Sequence, residues 1–304
     1  MNESLTEGSC INELARFRRE SISHTLKILA LACAFLCSAV APGQVGTGVP
    51  ATARLINKTL NVVYLGDSIT QGVQLLDPIT QSPPVGCTAF LRQHLSDISV
   101  YMENMGRNGH TTVDFLPETK TDFPQVEEAA GRLQAAHDGT LLFSVMLGTN
   151  DSASYGTNGS PVSPAQYEAN LSRISSQLLH DFPNSMVIVH RPTWYSANTQ
   201  NGADYREPGL RRLQSYTPVI AETVTSLAVS FPGRVFLGDT RAFDFFAQNY
   251  ADTLTPELGK QGTFYLHPNV AGAKALGELW GEAILKRLSS DTGPNMPVDK
   301  KGYL

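Results

Sequence analysis

Cysteine is scarce in this 304-residue chain, and three of its four copies, Cys10, Cys33 and Cys37, fall in the first forty residues. Beyond them Cys87 stands alone, so no internal disulfide can form there and a small core side chain is the expected role. Basic charge is short too, 23 Lys and Arg against 28 Asp and Glu with a pI near 5.8, which argues against a nucleic-acid or anionic-membrane surface. No apolar run reaches the roughly 20 residues of a membrane span. The histidines and acids lack the spacing of a ligand set, so neither a metal nor another cofactor is expected.

What the first forty residues do contain is a pattern. Arg16, Arg18, Arg19 and Lys27 precede an apolar run over 28–41, and Ser38-Ala-Val-Ala41 offers small residues for cleavage. This is the layout of a secretory signal peptide over residues 1–41, and it implies a secreted or periplasmic protein with no stable membrane association once the signal is removed. Lipoprotein anchoring at Cys33 is the alternative, disfavoured because the apolar run continues past the cysteine. Residues 42–58, mixed Gly, Pro, Thr and Ala, read as a linker. Residues 59–288 read as one domain, and 289–304 as a polar tail. With 41% apolar residues the chain can fill a sizeable core.

Five short apolar runs punctuate the domain, at 60–65, 98–102, 140–147, 186–189 and 235–237. Helical periodicity falls between them, as at Tyr167, Leu171, Ile174 and Leu178. Alternation of this kind predicts a three-layer α/β/α sandwich with a mostly parallel five-stranded sheet. Residues 73–86, with Pro78, Pro83 and Pro84, read as a loop, and 240–262 as irregular or partly helical. Polar clusters follow three of the strands: Gly66-Asp-Ser68, Asn104 to Gly109, and Gly148-Thr-Asn-Asp151. Ligands bind at the carboxyl ends of strands in such sheets, so the clusters can converge, and the Ser68 hydroxyl is a plausible nucleophile.

Gly-Asp-Ser at 66–68, Asn-x-Gly-x-x-Gly at 104–109, Gly-Thr-Asn-Asp at 148–151 and His-Pro-Asn at 267–269 resemble, in order, the four blocks of the SGNH (GDSL-type) hydrolases. The resemblance covers the whole span from Leu60 to Leu288. It implies a carboxylic ester hydrolase in which Ser68 attacks the ester carbonyl. The Ser68 and Gly109 main-chain N–H groups and the Asn150 amide would then form the oxyanion hole. Of seven histidines, His24 lies in the signal, while His94, His137 and His180 sit at helix ends. His190 ends a strand, and His110, after the second-block glycine, suits a substrate contact. His267, in a loop before the last helix, is the expected base.

The chain departs from the family at one place. An aspartate usually stands three residues before the histidine to orient its ring, and here that position is Phe264. Three explanations compete: a main-chain carbonyl at Phe264 accepting the imidazole N–H in a Ser-His dyad, an acid from elsewhere such as Asp252 or Glu257, or lost catalysis. The carbonyl is favoured, because the other groups are intact. Trp194, Tyr195 and Tyr205, set among Ser, Asn, Thr and Gln, suit stacking on a sugar ring. The expectation is therefore a secreted serine esterase removing short acyl groups, acetyl foremost, from a small-molecule or oligosaccharide ester. The alternatives are an aryl or lipid short-chain esterase and an inert carbohydrate-binding protein that keeps the cleft.

Overall fold

The computed structural model describes residues 56–289. The expected signal peptide, most of the linker and the tail after Ser289 lie outside the described residues. β1 (Thr59–Gly66) is an interior strand of the sheet, and from Leu60 onward every residue is buried, as a strand covered on both faces must be. β2 (Ser99–Gly106) and β3 (Thr140–Met146) flank it, and β4 (Met186–Val189) and β5 (Val235–Leu237) extend the sheet in the order β2-β1-β3-β4-β5, all pairs parallel.

The helices are α1 (Ser68–Gln71), α2 (Pro78–Gln81), α3 (Pro83–His94), α4 (Phe123–Ala136), α5 (Pro164–Asp181), α6 (Arg206–Ser230), α7 (Ala242–Thr253) and α8 (Val270–Ser289). Parallel crossovers are right-handed. The step from β1 to β2 runs one way along the sheet and the steps from β2 to β3, β4 and β5 run the other. The rule therefore puts α3 on one face and α4, α5 and α6 on the opposite face. α8 packs on α3, and α5 on α6, completing three layers. Residues 78–94, expected to begin as a loop, are largely helical. Pro78 and Pro83 open α2 and α3, where a missing N–H costs nothing, and the Asp77 carboxylate caps α2 by accepting from the Ile79 N–H at 3.1 Å.

The crossover from β1 leads away from the one leaving β3, so the sheet has its switch point between these two strands, where a crevice opens at their carboxyl ends. Gly66 pairs with Gly106 on one side and Met146 on the other. Three strands thus end on one rung, and the loops after them start at the same height.

The segment expected to be irregular holds α7 and an antiparallel hairpin, β6 (Leu254–Gly259) and β7 (Gly262–Pro268). Tyr265 and Ser196 tie the hairpin to the loop after β4: the Ser196 N–H donates to the Tyr265 carbonyl and the Tyr265 N–H to Ser196 Oγ, both at 2.9 Å. Asn198 Nδ2 adds a bond to the Thr263 carbonyl at 2.7 Å.

Candidate active site

β1 delivers the serine. Its last residue, Gly66, has no room for a side chain, since a Cβ would fall 1.9 Å from Thr70 Oγ1; at Gly106 it would fall 2.3 Å from the Gln71 nitrogen. Two strand ends thereby close directly on the α1 turn. Asp67 caps that turn by accepting from the Ile69 N–H at 2.9 Å. Burial raises its carboxyl pKa above the usual range, and the Ile69 bond pulls back. Ser68 is the first residue of α1 and is buried.

Opposite it stands the hairpin. His267 Nε2 lies 2.9 Å from Ser68 Oγ, and His267 Nδ1 lies 2.8 Å from Glu257 Oε1. The same Oε1 accepts from the His267 main-chain N–H at 3.2 Å, and Gln74 Nε2 donates to Oε2 at 3.1 Å. Because a carboxylate only accepts, Glu257 requires a proton on Nδ1 and leaves Nε2 free to take one from the serine. Serine, imidazole and carboxylate form one hydrogen-bonded line.

The other two loops complete the rim. Gly109 takes φ +79° in the turn closed by the His110 N–H on the Arg107 carbonyl, and nothing lies within 4 Å of where its Cβ would stand. Here glycine is required by the backbone, and the space above it belongs to the cavity. Asn150 Nδ2 donates to the His110 carbonyl at 2.8 Å, and its Oδ1 accepts from the Tyr205 hydroxyl at 2.6 Å. These groups line a cavity of about 460 Å³ together with Val73, Gln74, Asn108, Thr157, Asn201 and Leu266. A serine hydroxyl, an imidazole in contact with it and amide N–H groups lining one cavity are the kinds of group that acyl transfer uses. Among the described residues no group of three or more His, Cys, Asp or Glu side chains is arranged to hold a metal ion.

A family model described as the GDSL-like lipase/acylhydrolase family matches residues 64–275, from within β1 into α8. The chain belongs to this family. No curated protein matches it. Among solved structures it is similar to Axe2, an acetylxylan esterase from Geobacillus stearothermophilus, at 20% identity over 75% of this chain and 93% of that one, with a TM-score of 0.49. It is also similar to Est24, a carbohydrate acetylesterase from Sinorhizobium meliloti, at 18% identity over 74% and 98%, with a TM-score of 0.47.

Within this GDSL-like acylhydrolase, the structure brings Ser68, Gly109, Asn150 and His267 together and corrects the expected partner of the imidazole. Nδ1 meets the Glu257 carboxylate and not the Phe264 carbonyl. Phe264 faces Glu257 across the hairpin, with its ring buried against Gly259. Asp252, the other acid considered, contributes only its main-chain carbonyl, to Asn269 Nδ2 at 2.9 Å. A sequence signal for Glu257 existed in the turn residues Gly259-Lys-Gln-Gly262, which can fold an acid before the turn back toward a histidine after it.

The residues expected to touch substrate also move. His110 turns its ring to Asp122, which it meets through Nδ1, and serves the site with its carbonyl. Tyr195 is fully buried with its hydroxyl 2.8 Å from Ser152 Oγ, and Trp194 packs on Tyr250 at 5.5 Å; neither lines the cavity. Of the three aromatics, Tyr205 alone reaches the wall, and its hydroxyl is committed to Asn150. His190 is a core residue. Its Nδ1 accepts from the Asp239 N–H at 2.9 Å, its Nε2 lies 3.0 Å from Ser144 Oγ, and burial lowers its pKa to about 3. Asp151 is buried against Thr112, which donates its main-chain N–H at 3.1 Å, and desolvation pushes its pKa up to about 7.

Proposed function

We propose that this ester hydrolase removes short acyl groups, acetyl foremost, from polar alcohols such as carbohydrate hydroxyls, using a Ser68-His267-Glu257 triad. The observation that carries the mechanism is the unbroken line from Glu257 through His267 to Ser68, with contacts of 2.8 and 2.9 Å. As Ser68 Oγ attacks the ester carbonyl carbon, His267 Nε2 takes its proton and Glu257 stabilises the imidazolium. The carbonyl oxygen gains the negative charge, received by the Ser68 and Gly109 main-chain N–H groups and by Asn150 Nδ2. Collapse of the adduct expels the alcohol, which leaves with the proton from Nε2. Water then repeats the sequence on the acyl-serine and releases the carboxylic acid.

The substrate class is argued from the cavity wall. Gln74, Asn108, Thr157 and Asn201 are polar, while Val73, Ala203 and Leu266 are the only aliphatic side chains among the described residues of the wall. A long acyl chain would need a continuous apolar trough to leave water, and this wall offers a small apolar spot beside hydrogen-bonding groups that suit a hydroxylated alcohol. Export to the periplasm or medium rests on the charged and apolar pattern of the first 41 residues.

A panel of acetyl, butyryl, hexanoyl and octanoyl aryl esters beside acetylated oligosaccharides tests the reading. The expected result is a kcat/KM that falls at least about tenfold from acetyl to hexanoyl, as lost accommodation of a few methylenes allows, with turnover of the acetylated sugars. A preference for octanoyl would overturn the substrate class. Absence of fluorophosphonate labelling at Ser68, under conditions that label a control esterase, would overturn the mechanism in favour of an inert binding protein.

A further inference from the structure

Tyr205 immediately precedes α6 and is 3% exposed, yet its hydroxyl reaches Asn150 at the cavity wall. The contact fixes more than distance. Oxygen and nitrogen of a carboxamide can exchange places by a half-turn, and only the neighbours decide which is which. On one side of Asn150 is the His110 carbonyl, 2.8 Å from Nδ2, and a carbonyl can only accept. Nitrogen must face it, so Oδ1 must face Tyr205, and the phenol must be the donor at 2.6 Å. With its oxygen occupied and one N–H given to His110, the amide keeps a single N–H for the cavity.

The phenol is itself held. Its ring meets Tyr195 edge-on at 5.4 Å; the Tyr195 hydroxyl lies 2.8 Å from Ser152 Oγ, and Ser152 Oγ donates to the Thr149 carbonyl at 2.7 Å. Thr149 precedes Asn150, so the support returns to the loop it starts from. Burial pushes the Tyr205 ionisation upward, which keeps the proton on the oxygen that has to donate it.

We infer that Tyr205 is a positioning residue for ester hydrolysis: its hydroxyl locks the Asn150 carboxamide with one N–H aimed at the developing oxyanion. A donor into Oδ1 also polarises the amide and strengthens the hydrogen bond its nitrogen gives. The effect belongs to the charged intermediate and not to the neutral ester, so it appears in kcat and leaves KM nearly unchanged. This inference rests on the oxyanion role of Asn150 proposed above.

The test is a double-mutant cycle on the full chain with an acetyl aryl ester, each rate normalised to active sites titrated with a fluorophosphonate. Tyr205→Phe keeps the ring and its packing and removes one oxygen. Asn150→Ala alone is expected to lower kcat about 10²–10³-fold, as loss of one oxyanion donor does. Tyr205→Phe alone is expected to lower kcat about tenfold or more with KM within about twofold, by releasing a donor from its productive geometry. In the Asn150→Ala background the tyrosine substitution should then change kcat by less than about twofold, the non-additivity of groups that act as a unit.

Full activity of Tyr205→Phe beside a crippled Asn150→Ala would overturn the positioning role while leaving the oxyanion hole standing. Equal losses from Tyr205→Phe in both backgrounds would overturn it as well, because the tyrosine would then act by another route. Near wild-type activity in Asn150→Ala would remove the oxyanion role itself and the inference with it. If Tyr205→Phe titrates too few active sites to assay, Tyr195→Phe breaks the same support one bond further back. A smaller kcat loss, again absent without Asn150, supports the inference, and an undiminished loss there overturns it.

Discussion

The two halves of the site are built to different mechanical standards. Ser68, Gly109 and Asn150 rise from three parallel strands ending on one rung, sealed by helices on both faces. Glu257 and His267 ride on a two-stranded ribbon in which alternate β6 residues face solvent and Leu258 is 87% exposed. An isolated ribbon is marginal by itself, and this one is secured by its bonds to Ser196 and Asn198 and by the Gln74-Glu257 contact. In the proposed mechanism the nucleophile and the oxyanion donors sit on the rigid half. The imidazole and the carboxylate that orients it sit on the half that is tied down from outside.

The largest break comes from removing either end of the line between the halves. Ser68→Ala and His267→Ala should each lower kcat about 10⁴–10⁶-fold with the fold intact, read by initial rates and circular dichroism; wild-type turnover in either would sink the assignment. Next, Glu257→Gln should cost about 10³–10⁴-fold, because a neutral amide neither fixes the ring proton nor stabilises the imidazolium. Asp252→Asn should stay within about twofold, since only its carbonyl is used. Equal, small losses from the two would restore the dyad.

Loosening the ribbon should matter less. A Cβ at Gly259 would stand 2.3 Å from the Gln200 carbonyl, so Gly259→Ala should lift the hairpin from its loop and lower kcat about tenfold through misplacement of the base, with fluorophosphonate labelling of Ser68 slowed alongside. Gln74→Leu, which removes one donor from Glu257, should cost about two- to fivefold, as one exposed hydrogen bond allows. The smallest effect is a null on the rigid half. With its pKa held near 3 in the fold, the His190 ring should not titrate by NMR between pH 8 and about 4.5. Because this depressed value lies below the unfolded one, its contribution to stability is present above about pH 6.5 and is lost as pH falls through that window toward 3. Titration near pH 6 would show that His190 is not buried neutral.

The rigid half was the legible one. Apolar runs that stop at Gly-Asp-Ser, Asn-x-Gly-x-x-Gly and Gly-Thr-Asn-Asp announce strands and the loops at their ends, and the parallel order places those loops side by side. The ribbon was harder because its pattern is inverted: in β6 the carboxylate of Glu257 points inward and Leu258 outward, the reverse of what burial alone would select, and Pro256 demotes the run as a strand. Site chemistry had overridden the core signal. The aromatics misled for a related reason. Tyr195 and Trp194 sit in a polar loop that suggests a sugar platform, but the loop folds back on the core and takes the rings with it.

The serine and the imidazole that meet at 2.9 Å are 199 residues apart in sequence, and α8, which follows the imidazole, packs on α3, which follows the serine. Closing a loop of that length is entropically dear and is achieved only when long-range contacts form together. Hydrolysis therefore reports the docking of the last helix onto the first part of the domain. On refolding from denaturant, helical signal should begin to recover before activity does, and turnover should return only with the final closure of the chain, together with the fluorescence of Trp280, which α8 stacks on Tyr64 of β1.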